Sequence, residues 1–477
     1  MEPGKILIGG EWRETASVAD VRFPYNQEVI AQVYQAGDAE IEEALAAAVR
    51  GFEITRRLPA HERSNILYRL LDQMQARQEE LINALVLEGG KTQNVARGEA
   101  ERACETVRVA AEEAKRLEGE MIPMDWTVAG EGRMALVRRF PIGPVVGIAP
   151  FNYPLNLACH KLAPAVAAGN SFILKPASAT PLSALLLGEM LLEAGFPPEA
   201  ISVVVCPGSR AEKLVTDLRP AYVTFTGSSE VGWALKSKAG RKRVGLELGG
   251  NAAAVVHDDA NLAYAASRIV MGGFANAGQN CISVQRVLLQ RAIYDEALDL
   301  ILDKIGKLKT GDPRDEAVTV GPMIDRRSAE EAFDKVQEAI QQGARVLVGG
   351  QLEGTLMQPT VLADTTPQMR VNSTELFAPV ITVTPYDSFE EALKMANDTD
   401  YGLQAGVFTQ NMNRILQAYE TLEVGGVQIN DVSTFRVDQM PYGGVKNSGV
   451  GREGPRYAIE EMTEPKLMVI NQAGGLA

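Results

Sequence analysis

YVTFTGSSEVG (222–232) is an apolar, β-branched run, then a turn of glycine and serine, then the start of a helical stretch. Strand, turn and helix in that order form the unit of a parallel α/β sheet. The unit recurs upstream. VVGIA (145–149), SFILK (171–175) and ISVVV (201–205) are each followed by Gly, Pro or Ser and then by a helical run. A dinucleotide-binding sheet normally carries GxGxxG after a strand, and this sequence has none. In GSSEVG (227–232) two glycines and two hydroxyls stand where helix N–H groups could face a phosphate. The same residues also suit a plain strand-to-helix turn.

The alternation resumes beyond 250. NAAAVV (251–256), a helix over 262–275, RVLLQ (286–290), a long helix from 293, ARVLVGG (344–350) and APVITVTPY (378–386) make a second α/β unit. From about 38 to 118, apolar residues at three- and four-residue spacing predict helices with acidic, solvated faces. Residues 120–140 lose that period and read as two extended segments around a glycine-rich turn, a hairpin. TEPKLMVINQ (463–472) is strand-like with no local partner. It is expected to pair with that hairpin or with another subunit, and oligomer assembly is the favoured use.

At 477 residues the chain exceeds the roughly 100–200 residues of one domain and predicts two or three units. Its formal charge of −14, from 47 basic and 61 acidic residues, argues against a nucleic-acid or anionic-membrane surface, which needs clustered Lys and Arg. The start, MEPGKILIGGEWRE, has no basic segment followed by a long apolar run, so a cytoplasmic protein is expected. Cys104, Cys159, Cys206 and Cys281 lie far apart without CxxC, and His61, His160 and His257 are not spaced for a zinc cluster. Neither a disulfide framework nor a bound metal is expected.

Cys281 is the leading candidate for chemistry. In AGQNCISVQ (277–285) it follows a turn of small and amide residues, read as leading into a helix, which can lower a thiol pKa and supply a backbone N–H beside it. Standing alone it would more readily be a buried structural thiol, as Cys104, Cys159 and Cys206 are read to be. Glu247, in LELGGN (246–251), is a carboxylate at an apolar, glycine-flanked strand end, where a raised pKa suits proton removal from a thiol or water. Asn152 in PFNYP could donate to an oxyanion or cap a turn; Lys175 in ILKPAS could act in a site or be a solvated strand end.

Together these stretches resemble the aldehyde dehydrogenase superfamily. APFNYP (149–154), ILKPASATP (173–181), FTGSSEVG (225–232), LELGGN (246–251), GQNC (278–281), ELFAPV (375–380) and PYGGVKNSGVGREG (441–454) occur in the family's order across essentially the whole chain. The resemblance implies an α/β fold: a Rossmann-like cofactor domain from 1–118 and 141–249, an α/β catalytic domain from 250–448, and a small β oligomerisation arm from 119–140 and 449–477. It implies NAD(P)-dependent oxidation of an aldehyde to an acid. Cys281 would attack the carbonyl, Asn152 and the Cys281 N–H would hold the oxyanion, and Glu247 would activate the water that releases the acid. Lys175 is grouped with these catalytic residues. Ile148, Pro150, Phe151, Asn152, Lys175, Ala177, Ser178, Gly208, Thr226, Gly227, Ser228 and Val231 would line the dinucleotide site. Leu248 and Gly249 would border the nicotinamide, and Glu375 and Phe377 would hold its ribose. A homodimer or homotetramer is implied.

Strictly NAD-preferring relatives commonly carry a glutamate where this chain has Ser178, so NADP is the expected cofactor, with NAD as the alternative. The loop NDVSTFRVDQMPYGG (430–444) matches the segment that shapes the aldehyde entrance. Arg436 there suits an aldehyde with an anionic tail, as in semialdehyde, lactaldehyde, phospho- or sulfo-aldehyde substrates, or it pairs with a local acid such as Asp438. Tyr153, Asn280, Ile282 and Tyr442 complete the expected substrate contacts, and His160 is read as packed or capped rather than tunnel-facing. Three alternatives remain at this point: a CoA-acylating dehydrogenase, which would lack Glu247; a cysteine hydrolase pairing Cys281 with a histidine; and a non-catalytic descendant, which would have lost thiol or base.

Overall fold

The computed structural model describes residues 2–472. Its larger sheet has eight strands in the order Glu11–Arg13, Ile6–Ile8, Ile201–Val203, Phe172–Lys175, Val145–Ile148, Tyr222–Thr226, Arg243–Glu247 and Gly449–Val450. The five central strands are parallel, and their residues are almost all buried, which is why they read as unbroken apolar runs. Ile6–Ile8 and Gly449–Val450 join the parallel strands antiparallel. Chain order runs outward in opposite directions from Val145–Ile148 and Tyr222–Thr226. Such a switch point opens a crevice at the carboxyl ends of the strands.

The second sheet has the order Arg345–Val348, Thr360–Ala363, Val380–Tyr386, Val284–Gln290, Ala252–Val256, Gln404–Phe408 and Gly426–Ile429, parallel except for Arg345–Val348. Both its faces are covered. Ala254 and Val256 pack in one apolar cluster with the helices Leu262–Phe274 and Tyr294–Ile305; Ala253 and Val255 pack in another with the helix Phe389–Asn397. Successive side chains of one strand thus feed opposite cores.

LELGGN joins the two sheets, since Arg243–Glu247 belongs to the first and Ala252–Val256 to the second. Its glycines are required by close approach. A Cβ on Gly250 would stand 2.1 Å from the Cys281 carbonyl oxygen, and one on Gly249 would stand 2.4 Å from Glu375 Oε2. A side chain at Gly250 would drive the Cys281 loop away from the end of the first sheet, and one at Gly249 would displace the Glu375 carboxylate.

Four helices, Asp38–Thr55, Ala60–Ala76, Gln78–Gly89 and Gln93–Glu113, occupy the stretch whose periodicity predicted them, and their apolar faces join the core of the larger sheet. The predicted hairpin forms from Glu120–Ile122 and Arg133–Pro141. Thr463–Asn471 pairs antiparallel with Arg133–Pro141 from Thr463↔Pro141 to Asn471↔Arg133, so this strand finds its partner within the chain. The arm is shorter than the 449–477 read from sequence. Gly449–Val450 is an edge strand of the larger sheet, too short to show a period, and the helix Pro455–Glu461 buries Ile459 in that sheet's core. Residues 473–477 of that assignment lie outside the described residues. No helix among the described residues is long and apolar enough to cross a membrane.

Candidate active site

A cavity of ≈270 Å³ lies where the carboxyl ends of the larger sheet meet the loop that enters the second. Asn152, Glu247 and Cys281 line it, as do Tyr153, Asn280, Ile282, Arg436 and Tyr442, the residues assigned to substrate from sequence. Lys175, grouped with the reacting residues, is not on its wall. It ends the strand Phe172–Lys175, separated from Tyr222–Thr226 by Val145–Ile148, and belongs with the crevice residues described below.

The loop carrying Cys281 is held tightly. Asn276, Ala277 and Gly278 all have left-handed φ, of 52°, 54° and 67°. Each non-glycine in that region costs of order 1 kcal/mol, so it persists only where neighbours fix it. Asn276 Nδ2 donates to the Asn152 carbonyl at 3.1 Å, Gln279 Nε2 donates to the Asn276 carbonyl at 3.2 Å, and Gln279 Oε1 accepts the Ile324 N–H at 2.9 Å. A Cβ on Gly278 would meet the Ala378 carbonyl oxygen at 2.0 Å. The expected helix after GQNC is absent: a short 3₁₀ turn, Ala275–Gly278, precedes it and the strand Val284–Gln290 follows. With no helix start beneath the sulfur, the expected lowering of the thiol pKa fails as well. Burial pushes Cys281 up to about 12, with the hydrogen bond between its sulfur and the Tyr442 hydroxyl acting against that rise.

Asn152 is not a cap; Tyr153 precedes the helix Pro154–Ala168, whose Leu155 and Asn156 N–H groups donate to Glu99 at 3.0 and 3.1 Å. That buried carboxylate pairs with Lys91 at 3.1 Å and satisfies the helix start from the helix Gln93–Glu113. Asn152 Nδ2 donates to the Gln279 carbonyl at 3.1 Å, which leaves its second N–H for the cavity.

Glu247 ends the strand Arg243–Glu247, is 5% exposed, and its Oε2 has no hydrogen-bond partner among the described residues. Burial, then the neighbouring Glu453, hold its carboxyl well above the ordinary range, as the apolar setting predicted. Glu453 takes the opposite direction. Against the push of burial, Lys161 at 3.0 Å and Arg436 at 3.1 Å keep it ionised. Arg436 therefore pairs with Glu453, not Asp438; it also donates to His160 Nδ1 at 3.3 Å and stacks on Tyr442, while its Nε is buried without a partner. Asp438 instead faces His160 Nε2 at 3.1 Å and Arg102 at 3.4 Å. His160 is buried and off the cavity wall.

The remaining predicted residues gather at the switch-point crevice. Ile148, Pro150 and Phe151 lie at and just beyond the end of Val145–Ile148; Thr226, Gly227 and Ser228 lead from Tyr222–Thr226 into the helix Ser229–Lys238, with Val231 exposed on its first turn. Lys175 is 6% exposed, and its ammonium has no hydrogen-bond or ion-pair partner among the described residues. Burial lowers its pKa. Ala177 and the exposed Ser178 follow it, and Ser178 Oγ donates to the Cys206 carbonyl at 3.3 Å. Gly208 opens the helix Gly208–Thr216 with free space around it. On the far side, Glu375 accepts the Gly250 N–H at 2.9 Å and lies against Gly249, burial pushes its carboxyl up to about 7, and Leu248 packs on Gly232. Phe377 packs edge-on against Phe151, with ring centroids 5.8 Å apart.

Sequence reasoning missed Arg102, Lys161, Thr226's contact with Lys161 at 2.6 Å, and Glu453. Arg102 and Lys161 sit in helical stretches where a charge reads as solvated. Glu453 sat inside a quoted motif, and its burial beside two cations was the signal that a single sequence does not carry.

The family model described as the aldehyde dehydrogenase family matches residues 12–468. The chain is 43% identical over 467 residues to the 3-sulfolactaldehyde dehydrogenase of Priestia aryabhattai, covering 98% of each. Among solved structures it resembles aldehyde dehydrogenase 21 from Physcomitrella patens in complex with the reaction product succinate, with TM-score 0.97, 40% identity and full coverage of both chains, 100% and 100%. It also resembles glyceraldehyde-3-phosphate dehydrogenase GapN from Methanocaldococcus jannaschii complexed with NADP, with TM-score 0.92 and 38% identity over 96% of this chain and 99% of that one. The chain belongs to the aldehyde dehydrogenase family and is an NAD(P)-dependent oxidoreductase.

Proposed function

We propose that the protein oxidises a small aldehyde bearing an anionic group to the carboxylic acid, with Cys281 as nucleophile and Glu247 as base. One observation carries the reading: a single cavity holds a thiol, a buried carboxylate with an unpartnered oxygen, and two guanidiniums, Arg102 and Arg436. The sulfolactaldehyde enzyme and the succinate-bound structure both concern small anionic compounds, which supports the same class here.

The crevice suits a dinucleotide, because Lys175 is a buried cation without an anionic or hydroxyl partner and lies at the switch point of the sheet. Lys175, Ser178, Gly208, Thr226, Gly227, Ser228 and Glu375 would hold it. When bound, NAD or NADP supplies the hydride acceptor of the oxidation. Ser178 adds no carboxylate that would repel a 2′-phosphate, so NADP is used at least as well as NAD.

The Cys281 thiolate adds to the aldehyde carbon to give a thiohemiacetal. The free Asn152 N–H and the Cys281 backbone N–H stabilise its oxyanion, a donor of this kind being worth about 3–4 kcal/mol. After oxidation the substrate is a thioester on Cys281. Glu247, in its ionised form, takes a proton from water as that water attacks the thioester, releasing the acid and the Cys281 thiolate. Arg436, with an unpartnered Nε, and Arg102, whose contact with Asp438 is long, attract the anionic tail.

We further propose a reducing, cytoplasmic location, in keeping with four free cysteines, and a homo-oligomer joined through the outer strand Thr463–Asn471.

The test is turnover of succinic semialdehyde and sulfonated or phosphorylated short aldehydes against neutral aldehydes of equal length, followed at 340 nm with NADP and with NAD. Anionic substrates should show the higher kcat/KM. Arg102→Ala should raise KM about tenfold or more for the anionic substrate and much less for the neutral one. Equal losses for both substrates would discard the anionic reading.

A further inference from the structure

Tyr442 is 3% exposed, and its hydroxyl lies 3.2 Å from the Cys281 sulfur, its one hydrogen-bond contact among the described residues. A buried phenol normally finds a partner; here the partner is the nucleophile. The ring is pinned. The Arg436 guanidinium carbon lies 3.6 Å from its centroid, and Arg436 is itself held by Glu453 at 3.1 Å and by His160 Nδ1 at 3.3 Å. Burial, then Arg436, push His160 down to about 4, so near neutral pH its ring is uncharged. Its Nε2–H then donates to Asp438 at 3.1 Å and Nδ1 is free to accept from Arg436. A buried chain from Asp438 through His160 and Arg436 to Tyr442 thus ends on the reacting sulfur. The steps proposed above use Arg436 only toward the anionic tail and leave the phenol hydroxyl and His160 without a role.

The groups facing the thiol pull in two directions. Burial, Glu375 and Glu247 disfavour a thiolate, whereas the Tyr442 hydroxyl and the Arg436 charge favour it. Tyr442 is pushed well above its ordinary value by burial and then by the neighbouring thiol. It stays protonated and can donate a hydrogen bond without giving up its proton.

We propose that Tyr442 is a catalytic residue whose hydroxyl donates to the Cys281 thiolate and stabilises the nucleophile before the aldehyde enters, with Arg436 and His160 as positioning residues that keep the phenol on the sulfur. The inference rests on the reading of Cys281 as nucleophile. The proton of the thiol leaves to the ionised Glu247 carboxylate or to water, and that of Tyr442 stays on its oxygen.

The test is the pH dependence of Cys281 alkylation by iodoacetamide in the whole enzyme without aldehyde, with Cys281→Ala as the blank for the other thiols. Tyr442→Phe keeps the ring and its stack on Arg436 and removes only the hydroxyl. Below the thiol midpoint the rate follows the thiolate fraction, so a hydrogen bond to a charged group predicts alkylation about tenfold slower in Tyr442→Phe at each pH across the neutral range. The slope of rate against pH over that range and the affinity for NADP should be unchanged. A rate equal to that of the wild type would overturn the proposal, and a slower rate accompanied by lost NADP binding would overturn it by marking a structural role. Failure of the underlying reading would look different: Cys281→Ala would retain turnover.

Discussion

At the scale of single residues, the chemistry turns on Glu247 being buried yet available. Its raised pKa keeps it protonated, and inert as a base, up to a higher pH than an ordinary carboxylate. Turnover limited by thioester hydrolysis should therefore rise with pH as Glu247 ionises, and Glu247→Gln should lose that dependence. The substitution should also lower steady-state turnover by about 10²–10⁴-fold, the usual contribution of a general base, while an initial burst of NADPH survives. Burst kinetics at 340 nm across pH check both statements. Cys281 and Glu247 drew notice in the sequence because each breaks its context, a thiol after an amide-bearing glycine turn and a carboxylate in an apolar strand end, but it took the ordered motifs of the resemblance to single them out, and the fold lines one cavity with both. Arg102, Lys161 and Glu453 were not, since a charge on a helix or in a glycine-rich loop reads as solvated until the fold buries it against its partner. Arg436 was picked out as a cation in the right loop, but its partner was misjudged. Asp438, two residues away, is taken by His160 and Arg102, while the distant Glu453 reaches it.

Among elements, the loop before Cys281 is the most demanding. Three left-handed residues bring it under Ala378, and only glycine fits at 278. Gly278→Ala should destabilise the protein by about 2–4 kcal/mol, combining overpacking with the left-handed backbone, and should slow Cys281 alkylation. Thermal unfolding and thiol labelling measure the two effects; an unchanged melting temperature would mean that the loop is softer than its contacts imply. The strands and helices were readable because period and turn chemistry agree over most of the chain. The stretch after GQNC was misread as helical because small and amide residues dominate the turn before it, whereas VQRVLLQ, beginning three residues after Cys281, is the strand Val284–Gln290. The two-residue strand Gly449–Val450 carries no period at all, so its attachment to the larger sheet was invisible and the arm was drawn too long.

For the whole molecule, two parallel sheets meet at LGGN, and the reacting groups come from both: Glu247 and Asn152 from the ends of the first, Cys281 from the approach to the second. Residues far apart in the chain converge there, so the motifs could be read from sequence but their meeting in one cavity could not. Among the described residues Thr463–Asn471 is the outer strand of its sheet, with Leu467, Met468 and Val469 exposed at 55%, 51% and 44%. The chain should run as a dimer or tetramer in light-scattering chromatography, and the pair Leu467→Lys and Val469→Lys should shift it toward monomer; a monomeric wild type would contradict that assembly.

The central claim is a thioester on Cys281 that Glu247 clears. Glu247→Gln, mixed with NADP and an aldehyde that the wild type oxidises, then acid-quenched and digested, should yield the Cys281 peptide heavier by the mass of the aldehyde less two hydrogens. An unmodified Cys281 peptide during continued NADPH formation, or the acyl group on any other residue, would contradict the account.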